Sequence, residues 1–312
     1  MLNVVAQRLI QAVITLMVLA VVIFALSRMS GDPVELMLPV DATVRDREAL
    51  RAMLGLDLPL VEQFWRFVSG ALTGDLGVSI RERRPALDLV LERLPNSLML
   101  AFVSLTMAIL MAFPLAIAAA VWRGSAIDLL ARLFAVLGQS FPTFWVGLVL
   151  IIIFSGELRL LPAGGAGDWT HYILPGFTLG WFVVAGMMRL LRSSLLEVLE
   201  SEFVKLARIK GMPEWIVIWK HALRNALVPV VTFGGVYLAL LISTAVIVET
   251  VFAWPGLGRL AYDAIRFRDF PVTQAVILVT AIIVVLSSLL VDILYVLIDP
   301  RIRSGHKTEA GT

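Results

Sequence analysis

The chain has no cysteine, which excludes disulfides, iron–sulfur clusters and thiolate metal sites. Its three histidines, His171, His221 and His306, lie far apart in sequence, so a His-rich metal centre is not expected. Charge is scarce: Asp, Glu, Lys and Arg make up 16% of the 312 residues, against about 25% in ordinary soluble domains. The charges nearly cancel, 26 basic against 24 acidic, and a net charge of +2 does not point to a nucleic-acid partner. No G-x-x-x-x-G-K-[ST] is present, so the chain carries no phosphate-binding loop of its own. Neither H-E-x-x-H nor G-x-S-x-G occurs, which removes two common hydrolase signatures.

What the chain has instead is apolar. Hydrophobic residues reach 59% and the mean hydropathy is +0.91. A soluble domain of this length would need a far more charged surface. Six runs free of Asp, Glu, Lys and Arg organise the sequence: Leu9–Ser27 (19 residues), Leu94–Trp122 (29), Leu133–Gly156 (24), Trp169–Met188 (20), Asn225–Val248 (24) and Phe270–Val291 (22). About 20 apolar residues cross a bilayer as a helix. The runs are apolar all round, without the alternation of a barrel strand. They predict an all-α integral membrane protein with six transmembrane helices. Trp169–Met188 is the weakest run, because it contains His171, Pro175 and three further glycines. No small-x-small cleavage site follows the first run, which is read as a retained helix rather than a signal peptide.

Lys and Arg in short loops orient such a protein. With the N-terminus inside, the inner segments hold thirteen of them and the two short outer loops hold four. Both termini are therefore expected in the cytoplasm, with 304–312 as a cytoplasmic tail and residues 29–96 as a sizeable external segment. Within that segment Gly55 suits the end of a helix over Arg45–Leu54, and Pro59 the start of another. The apolar face of the second helix, from Leu60 to Leu72, is open to two readings: packing at the membrane, or docking of an external partner.

Residues 189–226 are rich in both signs of charge. Ser194-Leu195-Leu196-Glu197 fits a capping box. Gly211 permits the left-handed backbone that ends a helix, and Pro213 suits the first turn of the next. The pattern is helix–Gly–Pro–helix on the cytoplasmic side, and a connector of this length with its own helices suits a docking element.

Ion-coupled transporters place ionisable groups within their helices. Here Glu249 and Asp292 only border the runs, so a proton-driven cycle has no obvious residue to work with and energy is expected from another chain. No pair of acids lies at membrane depth, which argues against an intramembrane protease. Polar residues within the runs include Gln139, Ser140, Thr143, Ser243 and Thr244. They serve either helix packing or a weakly polar translocation path. An ATPase-independent secondary transporter or channel is the alternative function.

Several stretches carry a family resemblance through their order and spacing. They are Gly31-Asp32-Pro33, Leu54-Gly55-Leu56-Asp57-Leu58-Pro59-Leu60, Gly74-Asp75-Leu76-Gly77-Val78-Ser79, Glu92-Arg93-Leu94-Pro95, Phe141-Pro142-Thr143-Phe144-Trp145-Val146-Gly147-Leu148 and Leu161-Pro162. His221-Ala222-Leu223-Arg224-Asn225-Ala226-Leu227-Val228-Pro229, Pro255-Gly256-Leu257-Gly258 and Asp299-Pro300-Arg301-Ile302-Arg303 complete them. Over nearly its whole length the chain resembles permease subunits of bacterial ATP-binding-cassette importers for dipeptides, oligopeptides and nickel, of the DppB/OppB type. The resemblance implies the type I importer fold in the bacterial inner membrane. Residues 1–93 would form an N-terminal transmembrane helix with an extracytoplasmic segment. Residues 94–303 would form a permease core of five transmembrane helices, with a coupling loop at about 193–225.

The same resemblance implies a mechanism. A second permease chain, a paralogue by the family norm, would complete the pathway. Two P-loop ATPase subunits would bind ATP and Mg underneath, an extracytoplasmic binding protein would deliver substrate, and membrane lipid would surround the helices. This chain would hold no cofactor or metal and have no catalytic residue. The family's EAA-type coupling element falls on Glu202–Gly211. Lys205 and Leu206 replace the first two letters of E-A-A-x-x-x-G, while Ala207 and Gly211 remain. Glu202, Lys205, Ala207, Arg208 and Gly211 are the expected ATPase-coupling residues.

Overall fold

A computed structural model describes residues 2–29, 34, 38, 42–53 and 55–298. Gly31-Asp32-Pro33, Leu54, the Asp299–Arg303 stretch and the expected tail at 304–312 lie outside the described residues. Twelve α-helices occur among the described residues: α1 Leu2–Met29, α2 Val44–Met53, α3 Leu60–Thr73, α4 Ala86–Val121, α5 Ala126–Ser140, α6 Thr143–Leu150, α7 Ile173–Leu199, α8 Glu202–Ile209, α9 Glu214–Ile216, α10 Leu223–Val251, α11 Leu257–Arg266 and α12 Phe270–Ile298. Wide π-type turns continue α6 over Ile151–Glu157 and join α9 to α10 over Val217–Ala222. No strand is present among the described residues, only an isolated bridge between Val78 and Pro85.

Among the described residues four helices are long and apolar enough to cross a membrane: Arg8–Arg28, Ala86–Val121, Trp169–Leu199 and Phe270–Val291. Two bent pairs bring the number to six when each counts as one span. The third sequence run is not the straight helix its composition suggests. It breaks by 108° between α5 and α6. Pro142 caps α6 and holds Phe141 in an extended conformation, because the proline ring disfavours the helical region for the residue before it. The fifth run begins earlier than its apolar residues do. Its helix starts at Glu214 and bends by 54° before Leu240–Val251. Similarly, α4 starts at Ala86, eight residues before the charge-free run, and its 36 residues extend for about 54 Å.

The chain divides into two compact units. One comprises Met1–Ser97 and Pro255–Val285. Its core is a dry cluster of Leu76, Leu89, Val90, Leu257, Val272 and Val276. The turn around Ser79 is locked to the start of α12 by Asp269, which is almost wholly buried. Asp269 accepts hydrogen bonds from Ser79 Oγ (2.5 Å), the Ile80 amide (3.2 Å) and the Arg81 amide (3.3 Å). α2 carries a capping box at Thr43 and Asp46, where hydroxyl and carboxylate each accept from the other's amide. The Thr43 hydroxyl also donates to Asp46 and holds its carboxyl below the usual range. As expected, Gly55 follows α2 with φ +64 and Pro59 precedes α3.

The other unit comprises Leu98–Trp254 and Leu286–Thr312 and is built around α7. Trp169–Met188, the weakest apolar run, forms part of the most buried candidate span. The same residues explain both facts. Gly180 lies so close to α4 that a Cβ there would meet the Ser104 carbonyl oxygen at 2.8 Å. At Gly186 the Phe233 ring of α10 would stand 2.5 Å away. Glycines lower the apolarity of the run and let neighbouring helices approach it. Two buried hydroxyls in this unit are satisfied within their own helices: Ser104 donates to Leu100 O and Thr178 to Leu174 O, each at 2.7 Å.

Candidate functional site

The expected capping box at Ser194–Glu197 does not start a helix. α7 runs unbroken from Ile173 to Leu199, so the Glu197 amide is already inside a helical ladder and has no orphan donor to cap. The chain turns only after Leu199. α8 then opens on Ser201, with Glu202 in its first turn and Arg208 in its last, each at the end that the helix dipole favours.

α8 ends as its sequence predicts. Gly211 takes φ +76, its amide donates to Arg208 O, and the Met212 amide donates to Ala207 O. These two bonds make a Schellman motif, which a residue with a Cβ enters only under strain. Pro213 then starts the next helical segment. That segment is not a free connector: α9, the π-type turns and α10 follow without interruption, so the second half of the helix–Gly–Pro–helix motif is the root of a membrane-spanning helix.

The two faces of α8 differ. Val204 and Ala207 are buried against Val217, with Val198, Leu199 and Met212 around them. Ala207 therefore faces the chain's own interior, where its small side chain lets α8 sit close to the root of α10. Leu206 and Ile209 point outward, with Ile209 79% exposed. Beyond the glycine turn Trp215 and Trp219 are also exposed. Lys205 pairs with Glu202 at 2.8 Å, and that charge-assisted bond raises the lysine's pKa and keeps it cationic. Arg208 reaches across the turn to Glu214 with two bonds, 2.7 and 3.3 Å. Of the five expected coupling residues, Glu202, Lys205 and Arg208 are thus at the surface, while Ala207 and Gly211 set the backbone that presents them.

Beside α8 is an open cleft of about 380 Å³, lined by Ala120, Val121, Leu196, Leu199 and Ile218 and rimmed by the ion pairs Arg123–Glu200 and Arg208–Glu214. Near its α4 end, Asp128 of α5 clasps Arg192 of α7. In the sequence this clasp is visible only as two charges, each just outside an apolar run on the inner side.

The residues expected along a path fall in two places. Gln139, Ser140 and Thr143 flank the break between α5 and α6. Ser243 and Thr244 lie on an exposed face of α10. Ser140 donates to Val136 O and Thr244 to Leu240 O, so these hydroxyls are satisfied along their own helices. Glu249 is fully buried near the end of α10. Among the described residues no three His, Asp or Glu converge as a metal ion would require.

Among the described residues the scaffold is a helical, multi-pass membrane protein with a charged, outward-facing helix set on the root of a candidate span. The chain belongs to the binding-protein-dependent transport system inner membrane component family, whose pattern matches residues 109–304; the family's N-terminal membrane component matches residues 1–101. It is 44% identical over 304 residues to the glutathione transport system permease protein GsiC of Escherichia coli (strain K12), covering 97% of this chain and 99% of that one. GsiC of Shigella boydii serotype 4 (strain Sb227) is 43% identical over the same length. Among solved structures, the inward-facing MetNI methionine ABC transporter matches with TM-score 0.56 at 17% identity, covering 68% of this chain and 96% of that one. An amino acid ABC transporter crystallised with histidines matches at TM-score 0.53 and 16% identity, covering 67% and 93%. These structures show the fold, a type I importer permease core; the family match and the 44% identical relative make the protein a permease subunit of an ABC importer.

Proposed function

We propose that this permease moves a small peptide-like solute inward by alternating access, driven by two separate ATPase subunits that dock on Glu202–Gly211. The observation that carries the proposal is the dry contact of Val204 and Ala207 with Val217. Val217 belongs to the continuous segment that becomes α10, so displacement of α8 is transmitted directly to a spanning helix. ATP must bind one state of the assembly better than the other for the cycle to turn, and α8 is where this chain would register that difference. Glu202, Lys205, Leu206 and Ile209 would meet the ATPase, with Arg208 bracing the turn through Glu214. Mg and ATP would be bound by those partner chains.

A second permease chain would complete the pathway, with Gln139, Ser140, Thr143, Ser243 and Thr244 as its weakly polar lining in this half. Both termini would be cytoplasmic. Residues 1–93 would form the N-terminal unit and 94–303 the permease core, with an extracytoplasmic binding protein meeting the exposed residues around α11 in the Glu249–Pro271 segment and part of 29–96. The 44% identity to a glutathione transport permease over nearly the full length supports a peptide-like cargo. The test is substrate-stimulated ATP hydrolysis by the purified complex in liposomes, with its cognate binding protein and glutathione or dipeptides. Ile209→Asp should remove most of the stimulation while the complex still assembles. Stimulation equal to wild type would take α8 out of the mechanism.

A further inference from the structure

α3 carries two apolar arcs, and the fold covers only one. Phe64, Phe67 and Ala71 face inward: Phe64 and Phe67 pack on Phe24 of α1, with ring centroids 5.5 and 6.2 Å apart, and Ala71 joins the core of the unit. One helical step round, Val61, Trp65, Val68 and Leu72 form a continuous stripe at i, i+4, i+7 and i+11. Val61, Trp65 and Leu72 are well exposed and Val68 partly so. The remaining side is polar. It carries the Glu62–Arg66 ion pair (3.0 Å), Ser69 and Thr73. Gln63 is buried beside it and donates to the Leu56 and Leu58 carbonyls, which fixes the rotation of the helix.

The depth of α3 follows from its contact with α1. Phe24 lies five residues before α1 ends at Met29, or about 7.5 Å along the axis. At that level α1 still exposes Val21, Val22 and Leu26, the outer end of its apolar surface, and Arg28 lies over the Phe24 ring at 5.2 Å. A helix held there sits where acyl chains meet headgroups. That is the depth of interfacial helices, which bury an apolar face by about 5–10 Å and favour tryptophan at the boundary.

We infer that α3 is an interfacial helix whose Val61–Trp65–Val68–Leu72 stripe rests on the lipid bilayer, continuing the lipid-facing surface of α1. The occupant is lipid rather than water or protein, because the stripe flanks the arc that packs on a membrane span and the polar arc lies opposite that packed arc. The inference depends on the membrane span of α1 and not on the identity of the cargo.

The absence of native cysteine makes the test direct. Single substitutions Val61→Cys, Trp65→Cys and Leu72→Cys, with Glu62→Cys, Ser69→Cys and Thr73→Cys for the polar arc, would each carry a nitroxide in the assembled transporter in lipid nanodiscs. The ratio of oxygen to nickel-chelate collision rates should be severalfold higher on the stripe than on the polar arc. Equal ratios on both arcs would place the stripe in water. Shielding of the stripe from both reagents would mean a protein partner covers it. Either result overturns the inference.

Discussion

Arg192 grips Asp128 through both carboxylate oxygens, Nε to Oδ1 at 2.6 Å and Nη2 to Oδ2 at 2.9 Å. Asp128 is 2% exposed and Arg192 18%. The Gly124 amide also donates to Asp128, and Arg132 stands 3.6 Å away. The pair joins α5 to the last two turns of α7, just before the chain enters α8. Removing one partner of a buried pair costs up to about 3–5 kcal/mol, and less here, because the Gly124 amide and Arg132 still face Asp128 and Arg192 is partly exposed. Arg192→Ala and Asp128→Ala should therefore each lower the unfolding midpoint of the detergent-solubilised permease markedly. The double variant should lose much less than the sum, which a double-mutant cycle on thermal unfolding reads directly.

Gly211 separates strain from crowding. A Cβ there would touch nothing within 4 Å, so any effect of substitution comes from the backbone at φ +76. The left-handed region costs an ordinary residue roughly 1–2 kcal/mol. Gly211→Asn should be nearly silent. Gly211→Val should still insert but open the turn and sharply reduce substrate-stimulated ATPase. Equal stimulation in both variants would show that the turn geometry does not matter for coupling.

Gly180 is the opposite case. Its φ is ordinary, but the Ser104 carbonyl oxygen leaves no room for a methyl group. Gly180→Ala should force α4 and α7 apart, at about 1–3 kcal/mol of overpacking. Gly180→Leu should prevent recovery of folded protein, measured as the monodisperse fraction on gel filtration in detergent. Gly124→Ala, at a positive φ but in open space, should be milder than either.

Asp269 holds three donors from one turn. Asp269→Ala orphans the two amides, at about 1–3 kcal/mol each where they stay buried. Limited proteolysis should then cut faster between Leu76 and Pro85 than in the wild type. Ser79→Ala removes one bond and should produce a weaker version of the same cut.

The apolar runs placed every span, because a bilayer demands about 20 apolar residues whatever the packing. Where those helices break or begin was less legible. Pro142 produces a 108° bend that composition hides, and Glu214 starts a helix in residues that are charged because they lie outside the lipid. Ser194–Glu197 has the letters of a capping box, but the backbone before it is already helical; Thr43 and Asp46 have the same logic at a true helix start. The Gly211 turn was readable because only a residue that tolerates left-handed backbone ends a helix that way. The Asp128–Arg192 clasp was not, since its partners are 64 residues apart and meet only when α5 packs on α7.

The central claim, that separate ATPases drive this permease through α8, is tested most directly by cross-linking. Ile209→Cys supplies the one thiol in the chain, and a short bifunctional reagent should join it to a P-loop ATPase in native membranes, with a yield that changes when ATP is added. No adduct with an ATPase, together with ATP-independent uptake by the permease alone in liposomes, would contradict the account.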